Sequence, residues 1–124
     1  MRRVPQDQCE RVLVDCRLRA VTELFTHTWD PVVLAGLSEG PLRRGELLRL
    51  GGGISDKMLS ETLRRLLANG LIERESYRSA PPRVEYRLTA LGVSLVEGPL
   101  RELGRWVGAH GDALLEAQER ALAG

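Results

Sequence analysis

The sequence predicts an α+β fold, and three observations lead to it. Residues 55–69 read as a capped, amphipathic helix. A shorter helical stretch precedes it across Gly51-Gly52-Gly53, a turn no helix would hold. Two alternating segments follow, joined by a loop with Pro81-Pro82 inside and Arg78 and Arg83 at its base. Two helices across a tight turn, over 42–69, form a helix-turn-helix. The hairpin behind them, 71–88, is a wing, and helical stretches flank the whole at both ends.

Taken in order, residues 1–7 are polar, contain Pro5, and read as a flexible arm. A single domain is expected over 8–124, a length that supports a modest core. From Gln8, Val12, Cys16, Val21, Leu24 and Phe25 recur at helical intervals with no Gly or Pro before residue 31. Asp30 is expected to cap the next helix, with Pro31 in its first turn. Val33, Leu34 and Leu37 give that helix its apolar face, and Gly40 stops it. Leu42, Leu47, Leu48 and Leu50 line the first helix of the motif. Ser55 caps the second, and Gly70 ends it.

On a helical wheel Leu59, Leu63, Leu66 and Leu67 share one side of that second helix. Ser60, Glu61, Arg64 and Ala68 lie within about 60° of Lys57 on the other. Leu71 to Tyr77 and Val84 to Leu88 alternate as strands. Thr89 caps a C-terminal helical region, 89–123, whose stripe is Leu91, Leu95, Leu100, Leu103, Trp106 and Val107. A kink, or a restart with Pro99 in the first turn, is expected at Gly98-Pro99, and a second break near Gly111.

The charge pattern points the same way. Net charge is only +1, but residues 42–87 hold ten Lys/Arg against six Asp/Glu. Residues 1–41 hold five against six, and 88–124 three against five. The basic surplus therefore sits on the motif and wing, as a footprint for phosphate would. A half-buried helix with cationic and short polar side chains on its free face suits a DNA major groove. Lys57, Ser60 and Arg64 are the expected base readers. Arg78 and Arg83 on the wing are placed to reach phosphates or the adjacent minor groove, and Arg43, Arg44 and Arg49 on the preceding helix are phosphate contacts or simply solvated. Ser55 brings the helix N-terminus to the backbone. A solvated face is the alternative for the helix alone, and a winged module used only for protein contact is the alternative for the whole.

Other classes find no support in the residues. His27 and His110 have no Cys or carboxylate at ligand spacing, so no metal site is expected. Gly51-Gly52-Gly53 lacks the Lys-Ser/Thr of a phosphate loop, and no acid–base pairing identifies an enzyme. No cofactor is expected. No apolar run approaches the roughly 18 residues of a membrane span. Two cysteines make no disulfide framework, so reduced thiols and a cytoplasmic location are the expectation.

From about Cys16 to Trp106 the chain resembles the HxlR family of winged helix-turn-helix regulators, relatives of the MarR regulators. The resemblance is carried by CRLRAVTELFTHTW, LSEGPLRRGELLRL, GISDKMLSETLRRLLANGLIERESY, PPRVEYRLTALG and Leu103-Gly104-Arg105-Trp106. It implies a homodimeric transcription factor on double-stranded DNA, with helices from both chain ends building the dimer. Leu95, Leu100, Leu103, Trp106 and Val107 are the matching interface candidates. It leaves open relief by an inducer, a small molecule or an electrophile. Family members commonly carry a Cys thirteen residues before the Trp matching Trp29, and Cys16 stands there. In several members that Cys senses oxidants or electrophiles, chemistry that needs a favoured thiolate. Here Arg17 replaces the Pro that often follows, and Thr26-His27-Thr28 replaces the usual Gly-Gly-Lys. A buried structural thiol is the other reading of Cys16. Cys9 has no counterpart in the family pattern.

Overall fold

Local chemistry builds the central element, and the rest packs around it. The computed structural model describes residues 16–50 and 52–124. The arm at 1–7, the helix start at Gln8, Cys9, the side chain of Cys16, and Gly51 lie outside the described residues.

Helix α1 spans Cys16–Leu24, α2 Trp29–Gly36, α3 Arg44–Leu50 and α4 Asp56–Ala68. Strands β1 (Ile72–Tyr77) and β2 (Arg83–Leu88) follow, then α5 (Ala90–Leu95), a π-helical turn (Val96–Leu100) and α6 (Arg101–Ala123). The strands pair antiparallel, from Ile72 opposite Leu88 to Tyr77 opposite Arg83. Two helices, a two-stranded hairpin and further helix thus follow one another in the order of a winged helix-turn-helix.

Ser55 begins α4 with extended backbone, and its Oγ accepts from the Met58 amide at 3.1 Å. That satisfies one of the donors a helix start leaves open. Gly70, at φ +71°, ends it. The Leu71 amide donates to Leu66 O and the Gly70 amide to Leu67 O, both at 3.1 Å, the paired closure of a Schellman motif. Between these caps Leu59, Leu63 and Leu66 are buried. They meet Val33 and Leu34 of α2, Leu47 of α3, Ile72 of β1 and Tyr86 of β2 in one core.

Four expectations are corrected. Asp30 is not the cap of α2; it lies in the first turn, fully buried, and Thr28 holds the cap position without a side-chain hydrogen bond. Leu42 is outside α3. It exchanges two backbone hydrogen bonds with Tyr86, Leu42 N to Tyr86 O at 3.0 Å and Tyr86 N to Leu42 O at 2.8 Å. That bridge covers the outer edge of β2 and leaves Arg43 just ahead of α3, its amide donating to Glu46 Oε1 at 2.8 Å.

Of the kink or restart expected at Pro99, the restart does not occur; an irregular turn takes its place. Pro99 sits inside the π turn, where the Arg101 amide reaches Val96 O five residues back. The wider turn absorbs the missing proline donor without ending the helix. Nor does α6 break at Gly111; it runs unbroken for 23 residues. One interior Gly costs only about 1 kcal/mol, too little to stop a helix of that length.

Gly92 sets how closely α5 lies on the hairpin. A Cβ there would stand 2.0 Å from Leu71 O. The Thr89 amide donates to the same Leu71 O at 3.0 Å, and Thr89 Oγ1 donates to Gly70 O at 2.6 Å. The end of α4, the start of β1 and the start of α5 are thus tied at one point.

Candidate nucleic-acid interface

The face of α4 opposite its leucines carries Lys57, Glu61, Arg64 and Ala68, all exposed. What distinguishes this stripe is the set of ion pairs beside it. On one flank Arg44 of α3 crosses to the first turn of α4. Its guanidinium pairs with the Asp56 carboxylate, and its Nη2 donates to Asp56 O at 3.0 Å and to Ser60 Oγ at 2.5 Å. On the other flank Arg65 turns toward α2. Its Nε donates to Asp30 Oδ2 at 3.0 Å and its Nη2 to Asp30 Oδ1 at 2.8 Å, a bidentate fork on a carboxylate with no exposed surface. The Asp30 hydrogen bonds raise the Arg65 pKa above the ordinary guanidinium value, against the lowering effect of burial.

Charged groups on α4 therefore divide in two. Asp56 and Arg65 are committed to neighbouring helices and hold α4 in place. Lys57, Glu61 and Arg64 form no ion pair among the described residues. Of the expected base readers, Lys57 and Arg64 are free, while Ser60 already accepts from Arg44. Of the expected phosphate contacts, Arg43 and Arg49 are exposed beside an open polar hollow of about 460 Å³ shared with Glu46 and Glu85. Arg44 is half-occupied as a brace between the two helices of the motif.

The wing divides in the same way. Arg78 is exposed in the loop and forms no ion pair among the described residues. Arg83 is the first residue of β2 rather than of the loop. Its guanidinium lies 4.6 Å from the centre of the Tyr77 ring, with its Nε 3.7 Å from Glu85. Arg87 sits among Glu73, Glu75 and the Tyr77 hydroxyl. On this face of the hairpin two arginines sit among three glutamates, while the exposed Arg78 in the loop and Arg74 on β1 form no ion pair among the described residues.

The C-terminal candidates also separate. Leu95 and Leu100 pack partly buried against the core, whereas Leu103, Trp106 and Val107 are 44%, 48% and 52% exposed. Leu114, Leu115 and Leu122 are exposed further along. Below them an apolar groove of about 280 Å³ lies between Ala20, Val21 and Leu24 of α1 and Leu91, Leu95 and Pro99 of the C-terminal helices.

Comparison with known proteins places this architecture. The model of HxlR-like helix-turn-helix proteins matches residues 24–114. The chain belongs to the HxlR-like helix-turn-helix family. It is 41% identical over 97 residues to the HTH-type transcriptional regulator YkvN of Bacillus subtilis, covering 78% of this chain and 81% of that one. Among solved structures it resembles the HTH-type regulator ytcD, with a TM-score of 0.71 at 41% identity, over 77% of this chain and 96% of that one. It also resembles the redox regulator HypR in its oxidised form, with a TM-score of 0.69 at 29% identity, over 76% of this chain and 96% of that one. The chain is a helix-turn-helix transcriptional regulator, and DNA is its partner rather than a protein surface alone.

No group of three or more His, Cys, Asp or Glu among the described residues could hold a metal ion. No helix among them is long and apolar enough to cross a membrane. Sequence reasoning missed the Asp30–Arg65 and Arg44–Asp56–Ser60 ties. Their partners are 35, 12 and 16 residues apart, and no local pattern in one sequence announces such a pair.

Proposed function

We propose that the protein acts in the cytoplasm as a homodimeric repressor that occupies a pseudo-palindromic operator and yields to a signal. Recognition helix α4 enters the major groove. Lys57 and Arg64 face base edges and the adjoining backbone, Ser55 brings the helix N-terminus to a phosphate, and Arg43, Arg49 and Arg78 contact phosphates. Arg44 and Ser60 act together as a brace that fixes the approach angle of α4. Arg83 stiffens the wing base over Tyr77. The observation that carries this reading is the free Lys57–Arg64 stripe, left open while its charged neighbours are tied down.

Two such stripes about 34 Å apart match one turn of DNA, which a two-fold dimer provides. The stripe of Leu103, Trp106 and Val107, with the groove between α1 and α5, supports a dimer seam built from both chain ends. Leu103, Val107, His110 and Leu114 follow the alternating four-three spacing of a helix–helix seam. Cys16, the first described residue of α1, is the candidate sensor of an oxidant or electrophile; the likeness to the redox regulator HypR supports it.

The test is duplex binding to the chain's own upstream region across a salt series. About four cation–phosphate contacts per protomer give log Kd a dependence on log salt of roughly 7 in magnitude for the dimer. Lys57→Ala and Arg64→Ala are expected to weaken binding while fold and dimer survive. Binding that ignores salt, or variants that bind like the parent, would overturn the assignment of this face.

A further inference from the structure

We infer that Glu61 is a specificity-determining residue, reading a cytosine in each operator half-site. The inference rests on the proposed operator binding and adds a base to it.

Glu61 stands near the middle of the outward face of α4, one turn after Lys57 and one turn before Arg64. It is the one carboxylate of α4 left without an ion pair among the described residues; Asp56, the other, is held by Arg44. Arg65, one turn further on, is committed to the buried carboxylate of Asp30. Of the three cations on the same helix, Arg65 is tied to Asp30 and feels the Glu61 charge only through space, while Lys57 and Arg64 form no ion pair with Glu61, whose carboxylate remains exposed. An anion on a surface that must enter a phosphate-lined groove is repelled from the backbone. It becomes favourable only against a hydrogen-bond donor on a base edge. In the major groove the cytosine N4 amino group is such a donor, with no acceptor beside it on the same base. Adenine N6 is also a donor, but N7 next to it is an acceptor and repels a carboxylate. Lys57 and Arg64, on either side, suit the acceptors of guanine. The stripe therefore reads as donor, acceptor, donor along the groove, and Glu61 rejects as well as selects.

The test is selection from a duplex library with a randomised core, using the full chain, Glu61→Gln and Glu61→Ala. The parent should select a two-fold motif with a cytosine at one position of each half-site, preferred about tenfold or more. Glu61→Ala should lose that preference to near unity at that position alone, and bind mixed-sequence DNA at least as tightly as the parent. Glu61→Gln should move the preference toward adenine, which an amide can engage through N6 and N7. If Glu61→Ala selects the parent motif with unchanged base weights, the inference fails while operator binding stands. If both variants lose preference at every position, Glu61 supports the helix rather than reading a base, and the inference fails. If the parent selects no motif, the operator reading fails with it.

Discussion

Replacing Arg65 by Met tests how α4 is held in the domain. The substitution keeps the aliphatic stem and removes the guanidinium that forks onto Asp30. Asp30 has no exposed surface, and both its carboxylate oxygens accept from Arg65, at 2.8 and 3.0 Å. Removing one partner of a buried pair costs about 3–5 kcal/mol, because the other charge stays buried alone. Arg65 keeps a third of its side-chain surface in solvent, so its own share is screened and the lower end applies, about 3 kcal/mol. For a domain of this size that is a fall in Tm of roughly 12 °C. Asp30→Asn on the same background is expected to recover most of the loss, since a neutral amide needs no counter-charge. Urea and thermal unfolding by circular dichroism would measure the parent, both single variants and the double, at one protomer concentration because dimerisation adds to apparent stability. A Met variant within 0.5 kcal/mol of the parent, or two single effects that simply add, would refute the claim that this pair fastens α4 to α2.

Three more perturbations address other parts of the molecule. Gly92→Ala would put a methyl against the Leu71 carbonyl, where the backbone cannot yield; a loss of several kcal/mol in urea unfolding is expected, and a parent-like midpoint would contradict the close approach. Leu103→Asp is expected to split the dimer in sedimentation or light scattering with the helical signal retained; a dimer that persists places the interface elsewhere. Cys16→Ser is expected to abolish release of operator DNA by diamide or a quinone, read in a duplex-binding assay, and a parent-like response would end the role of that thiol as sensor.

The elements were largely legible because their signals are local. As caps, Ser55 and Thr89 accept from amides three residues on and Gly70 closes the turn before it, and the leucine spacing of α4 declares its buried face without reference to anything distant. Pro99 and Gly111 misled for the same reason. Each carries a local penalty, and the helix running from α5 to α6 outweighs it. Leu42 misled because its helical spacing was real, yet the free edge of β2 gave its backbone better partners.

Taken alone, the sequence determined the winged helix-turn-helix, its caps, and the side of α4 that faces water, since periodicity and capping depend on neighbours a few residues away. Tertiary structure decided which charges remain free on that side. Lys57, Arg44, Arg64 and Arg65 look alike in the sequence. Only folding brings Asp30 and Asp56 to two of them, because an ion pair depends on separation in space, and the chain closes gaps of 35 and 12 residues to form these.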